Sequence, residues 1–193
     1  MADHSVEAQA SVLVDALSQA WTRCREYNLN SLKKFPSAQA ILKASPSVQV
    51  AVAREILARV TDFAKRGKSN GVADWFTETG FPWGCVYFQS SLLKKALPFT
   101  SPELEEMFGR LADAEIVSAS QFEFIGSLVG ALERHVATNE LTPPLRHLAN
   151  HFSELLLGKN LSWADRLGWS PDAATRRAAN RIQHLLARTR DSI

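Results

Sequence analysis

His147 and His151 stand four residues apart in the stretch LRHLANHFSELLLG, and Glu154 follows three residues later. On a helix that spacing turns both imidazoles to one face, an arrangement suited to holding a zinc ion. The metalloprotease form of this pattern needs a glutamate directly after the first histidine, where this chain has Leu148. A third ligand would have to come from His135 or a distant carboxylate, so the pair is read as a polar helix face and no metal is expected.

The second unusual group is aromatic. Trp75, Phe76, Phe81, Trp83, Tyr87 and Phe88 place six of the seventeen aromatic residues within fourteen positions, interleaved with Gly80, Pro82 and Gly84. Such a stretch either walls a ligand pocket, presents anchor side chains to a partner, or tucks its rings under itself as a satellite core. The satellite core is the reading adopted. Should the stretch bind, its candidates are Trp75, Phe76, Phe81, Trp83 and Tyr87. Cys85 sits where the following helix should begin, a position that can lower a thiol pKa. No histidine is near in sequence to act as its base, so a buried, unreactive cysteine is expected.

The third group is basic. In SPDAATRRAANRIQHLLARTRDSI, Ala174, Ala178, Ile182, Leu185 and Leu186 fall on one helical face, and Arg177, Arg181, His184 and Arg188 on another. An arginine stripe can bind phosphates or an acidic partner. It can equally be a polar outer face, with Arg188 and Arg190 offsetting the negative end of the helix dipole. The net charge of +2 is divided unevenly. Five arginines against two aspartates from Pro171 onward give +3 and leave −1 for everything before. The chain has no phosphate-binding glycine loop, nucleophile elbow, paired-cysteine metal pattern or dinucleotide fingerprint. No catalytic residue or cofactor is therefore assigned.

These residues need elements to position them, and the apolar periodicity is helical throughout. A first helix is expected from Ser5 to Tyr27, on Val6, Ala10, Leu13, Leu17, Ala20, Cys24 and Tyr27. Val14 and Trp21 widen its stripe, which favours burial against two helices of the same chain over homodimerisation through this helix. Further helices are expected over Ala38–Lys43, from Pro46 to Arg66 with Gly67 as the stop, up to Pro98, from Ser101, from Gln121 to Thr138 with Ser120 as cap, from Thr142 to near Gly158, and from Ser170 onward. Gly126 and Gly130 are expected to let another helix approach closely.

Four of the starts share one device: a hydroxyl that accepts an orphan amide, followed by a proline already at helical φ. It occurs at Ser45-Pro46, Ser101-Pro102, Thr142-Pro143 and Ser170-Pro171, at intervals of 56, 41 and 28 residues. The class expected is all-α, a compact array of about eight antiparallel helices in one domain spanning residues 1–193. The stretch LLKKALPFTSPELEEMF resembles the helix-to-helix junctions of HEAT- and armadillo-like repeat proteins. That resemblance implies stacked helix pairs and a scaffold or recognition role, and it carries over no functional residue.

With 46% hydrophobic and 22% charged residues the composition is that of a folded chain, and no stretch is apolar enough to span a membrane. MADHSVEAQ has neither the basic end nor the apolar block of a secretory signal, so a cytoplasmic location is expected. The function read from these features is a non-enzymatic protein-interaction or scaffold module. The alternatives are nucleic-acid binding through Arg177, Arg181 and Arg188, or a small-molecule or enzymatic pocket at the aromatic stretch.

Overall fold

The computed structural model describes residues 4–23, 29–68, 83–161, 163–164 and 168–189. Among them the chain forms nine α-helices and no strand. These are α1 (His4–Thr22), α2 (Leu29–Lys33), α3 (Pro36–Lys43), α4 (Pro46–Lys68), α5 (Trp83–Leu93), α6 (Ser101–Asp113), α7 (Glu123–Val136), α8 (Pro143–Leu156) and α9 (Ala173–Arg188). They gather into two compact units, Met1–Pro98 and Phe99–Ile193. No helix among the described residues is long and apolar enough to cross a membrane.

In the first unit α1 packs on α4, with further contacts to α3 and α5. The face it buries carries Ala10, Val14, Leu17 and Ala20, while Val6, Leu13 and Trp21 of the expected stripe are half-buried. Opposite it, α4 contributes Val52, Ile56, Val60 and Ala64 at the expected helical spacing. Polar pairs at the rim set the register: Arg54 meets Glu7 at 2.7 Å, and Arg59 reaches Asp15 and the Ser11 hydroxyl. Exposed pairs of this kind contribute at most about 1 kcal/mol each, so packing dominates.

The helix α5 also packs on α2, and buries Cys85, Val86, Phe88, Leu92 and Leu93. It carries Gln89 into the core, whose Nε2 donates to the Ala53 carbonyl of α4 at 2.6 Å; Oε1 has no hydrogen-bond partner among the described residues. Gln49 ties the end of α3 to α4 by donating to the carbonyls of Leu42 and Ala44, both at 3.0 Å, while accepting from Lys95.

In the second unit α8 packs against both α6 and α9, and α7 packs chiefly on α9. The core holds Phe108 edge-on to Phe152 and Phe122 edge-on to Phe124, with ring centroids 5.7 and 5.6 Å apart. Two helices close in a left-handed residue that turns the chain. Gly158 (φ 83) follows α8, with Lys159 N–H on the Glu154 carbonyl and Gly158 N–H on that of Leu155. Glu115 (φ 51) does the same after α6, and the next residue, Ile116, is buried.

The helix-start device works as expected at two of four places. Val48 N–H donates to Ser45 Oγ at 3.4 Å, and Leu145 N–H to Thr142 Oγ1 at 3.3 Å. At α6 the cap is Thr100 instead. Its amide and hydroxyl both donate to Glu103 Oε2, at 2.8 and 2.9 Å, which leaves Ser101 as the first helical residue. At α9 the cap is Asp172, whose carboxylate accepts from Thr175 N–H at 2.8 Å, two residues after the expected Ser170. Ser120 caps nothing. The N-cap of α7 is Phe122, and the Ser120 hydroxyl donates to the Asp172 carboxylate.

Other boundaries move as well. Gly67 does not stop α4, which runs to Lys68, and α5 ends at Leu93 rather than at Pro98. The five-residue α2 lies between the first expected helix and the one over Ala38–Lys43, where no helix is expected; Leu32, fully buried, anchors it. The first helix closes at Thr22, and the expected positions Cys24 and Tyr27 lie outside the described residues.

Candidate functional site

The basic face of α9 is built by a helix with two unlike sides. Thr175, Ala178, Ala179, Ile182 and Leu186 are buried against the second unit's core, which leaves Arg176, Arg177, Arg181, His184 and Arg188 exposed. No carboxylate occurs between Ala173 and Arg188. Asp172 and Thr175 fix the start of the helix by a second tie, since Ala119 N–H donates to the buried Thr175 Oγ1 at 3.0 Å. The Asp172 carboxyl is held below its usual range by the Ser120 hydroxyl and by the Thr175 amide.

Arg181 ties this face to α7. Arg181 donates from Nε and Nη2 to the two carboxylate oxygens of Glu133 on α7, at 2.9 and 2.6 Å, and from Nη1 to the Gly126 carbonyl at 3.2 Å. A Cβ on Gly130 would stand in ordinary van der Waals contact with the guanidiniums of Arg134 and Arg181, at 3.4 and 3.5 Å, and one on Gly126 would meet nothing within 4 Å. Among the described residues no other helix backbone lies that close to either position, which corrects the expectation for the two glycines.

The negative end of α9 has Arg188 in its last turn, as expected, and a further cation from another helix. Arg146, one turn into α8, donates from Nη1 to the Leu186 carbonyl at 3.0 Å and from Nη2 to the carbonyl and hydroxyl of Thr189, at 3.1 and 3.0 Å. Arg190 lies outside the described residues.

Trp75, Phe76 and Phe81 also lie outside the described residues, and Trp83 is the first residue of α5. Tyr87, on α5, is 41% exposed, whereas Phe88 beside it is fully buried. Both belong to a helix, not to a loop. Cys85 is buried with Ser18 Oγ 3.5 Å from its sulfur. Burial pushes its thiol up to about 11, against the smaller opposing effects of Ser18 and the Arg59 charge. The helix start therefore does not make it a reactive thiolate.

On α8, His147 is exposed and His151 half-buried. The described residues contain no group of three His, Cys, Asp or Glu side chains placed to hold a metal ion. His135, the third ligand considered, is occupied elsewhere. It is buried in the last turn of α7, with Nδ1 2.9 Å from the Phe99 carbonyl and Nε2 3.0 Å from Ser101 Oγ. A carbonyl can only accept, so Nδ1 carries the proton there, and Nε2 offers its lone pair to the Ser101 hydroxyl. Sequence reading missed this pair because thirty-four residues separate its members and Ser101 had been read as a cap. Thr100, by capping α6, leaves the Ser101 hydroxyl to face the imidazole.

No protein-family model, curated protein or solved structure matches the chain.

Proposed function

We propose that the chain is a protein-interaction module, built from packed helices in the manner of HEAT-like scaffolds, that docks an acidic surface of a protein partner on the basic face of α9. The observation that carries this reading is that the fold's own need for cations on α9 is already met. Glu133 engages Arg181, Arg146 closes the helix C-terminus and Arg176 donates to the Pro171 carbonyl, yet the helix still exposes Arg177 and His184, with no carboxylate between Ala173 and Arg188. Arginine forks suit carboxylates and phosphates alike, and a one-signed surface steers partners of opposite charge. Among the described residues, Tyr87 on α5 is a further exposed side chain with the character of an interface anchor.

The test is affinity purification from native cell lysate with the wild-type chain and with an Arg177→Glu/Arg188→Glu variant, each with and without nuclease treatment, followed by mass spectrometry. The reading expects one recurrent protein that survives nuclease, weakens at high salt and is lost from the charge-reversed variant. Recovery that nuclease abolishes would replace it with nucleic-acid binding through the same arginines. Equal recovery by both chains would remove the α9 face from the account.

A further inference from the structure

We propose that Ser101 is a nucleophile activated by His135, giving the chain an acyl-transfer activity toward short-chain carboxylic esters that is independent of docking on α9. The signature of an activated serine is geometric: hydroxyl and base within about 2.6–3.2 Å, and the base oriented by a third group. Ser101 Oγ lies 3.0 Å from His135 Nε2, and the Phe99 carbonyl, 2.9 Å from Nδ1, holds the ring in the tautomer whose Nε2 can take a proton. Asn139 secures the end of α7 beneath the ring, its side-chain amide donating to the His135 carbonyl at 3.0 Å.

Two further features suit this role. Ser101 is the first residue of a thirteen-residue helix, at the positive end of its dipole. Ser101 is half-buried, while Thr100, Pro102, Thr138 and Asn139 are exposed. The serine is thus partly open to solvent, with its base buried behind it.

The reaction closes without a further cofactor. Ser101 Oγ attacks the ester carbonyl carbon as its proton passes to His135 Nε2. The bond to the alcohol oxygen breaks, and that oxygen takes the proton from Nε2. Water then attacks the acyl-serine, losing a proton to Nε2, which returns it to Ser101 Oγ as the carboxylic acid departs.

The test treats the full chain with a fluorophosphonate probe, which phosphonylates activated serines, and locates the adduct by peptide mass spectrometry. The proposal expects an adduct on Ser101 of the native protein, none on Ser101→Ala, and labelling slowed at least about 100-fold in His135→Gln, the contribution typical of a general base. Incubation with p-nitrophenyl acetate should leave an acetyl group on the same residue. Should either variant fail to fold, wild-type protein labelled before and after urea unfolding replaces it, with Ser101 modified only when native. No adduct on native Ser101, or equal labelling of folded and unfolded chains, overturns the proposal and leaves the pair as a tie between α6 and α7.

Discussion

Replacing Arg146 by methionine should destabilise the second unit by about 2 kcal/mol. Methionine keeps the unbranched apolar stem along α8 and removes only the guanidinium. Lost with it are three hydrogen bonds of 3.0–3.1 Å, two of them to the carbonyls of Leu186 and Thr189 at the end of α9. A hydrogen bond to a charged group contributes about 1.5–3 kcal/mol when buried. Arg146 is half-buried and its carbonyl partners can be rehydrated, so the three together are set near the value for one. Urea unfolding followed by circular dichroism measures the change, and Arg177→Met is the control. Its side chain is exposed, so the expected effect is within about 0.5 kcal/mol. A neutral Arg146→Met, or an Arg177→Met that costs as much, would refute the division of labour between these arginines and return the α9 stripe to a role in stability.

Three other perturbations have definite signs. Gly126→Ala should stabilise by about 0.5–1 kcal/mol, because a Cβ there meets no atom within 4 Å inside a helix, whereas Gly158→Ala should cost about 1 kcal/mol at its left-handed φ of 83; thermal melts of the two variants test the contrast. Cys85 should resist iodoacetamide in the native protein and react once the chain is unfolded. Because its folded thiol is raised to about 11 from 9.0, its contribution to stability is intact below pH 9 and is lost as pH rises toward 11, a loss of about 2–3 kcal/mol that Cys85→Ala should not show. Asp172→Ala should cost about 1 kcal/mol and Asp172→Asn less, since asparagine also caps. The depressed carboxyl gives the wild type stability that is present above the ordinary aspartate range and lost as pH falls below it, and acid titration of Asp172→Asn should lack that component.

The long elements were legible because burial repeats with the helical period. Val52, Ile56, Val60 and Ala64 on α4, and Ala178, Ile182 and Leu186 on α9, are buried where their spacing placed them. What escaped the sequence depended on distant residues. A five-residue helix such as α2 has too few turns to display a period, and its anchor Leu32 is defined by what covers it. Asp172 and Ser170 are both good caps by type, and the choice fell to the carboxylate, which also receives the Ser120 hydroxyl. Arg146 as the closure of α9 and His135 as the partner of Ser101 join residues about forty and thirty-four positions apart. No local pattern marks such pairs. Of the candidate site, the arginine stripe was visible as a stripe; the commitment of Arg181 to Glu133 was not, because α7 and α9 meet only in the folded chain.

The most direct measurement is a fluorescence-anisotropy titration of a glutamate-rich peptide with wild-type chain and with Arg177→Glu/Arg188→Glu, read beside the unfolding free energy of each. The account predicts salt-sensitive binding that falls at least about tenfold, or ~1.4 kcal/mol, on charge reversal, while the unfolding free energy falls by no more than about 1 kcal/mol, the cost of a carboxylate in the last turn of α9. Binding that is undetectable, or that survives the reversal undiminished, would contradict it.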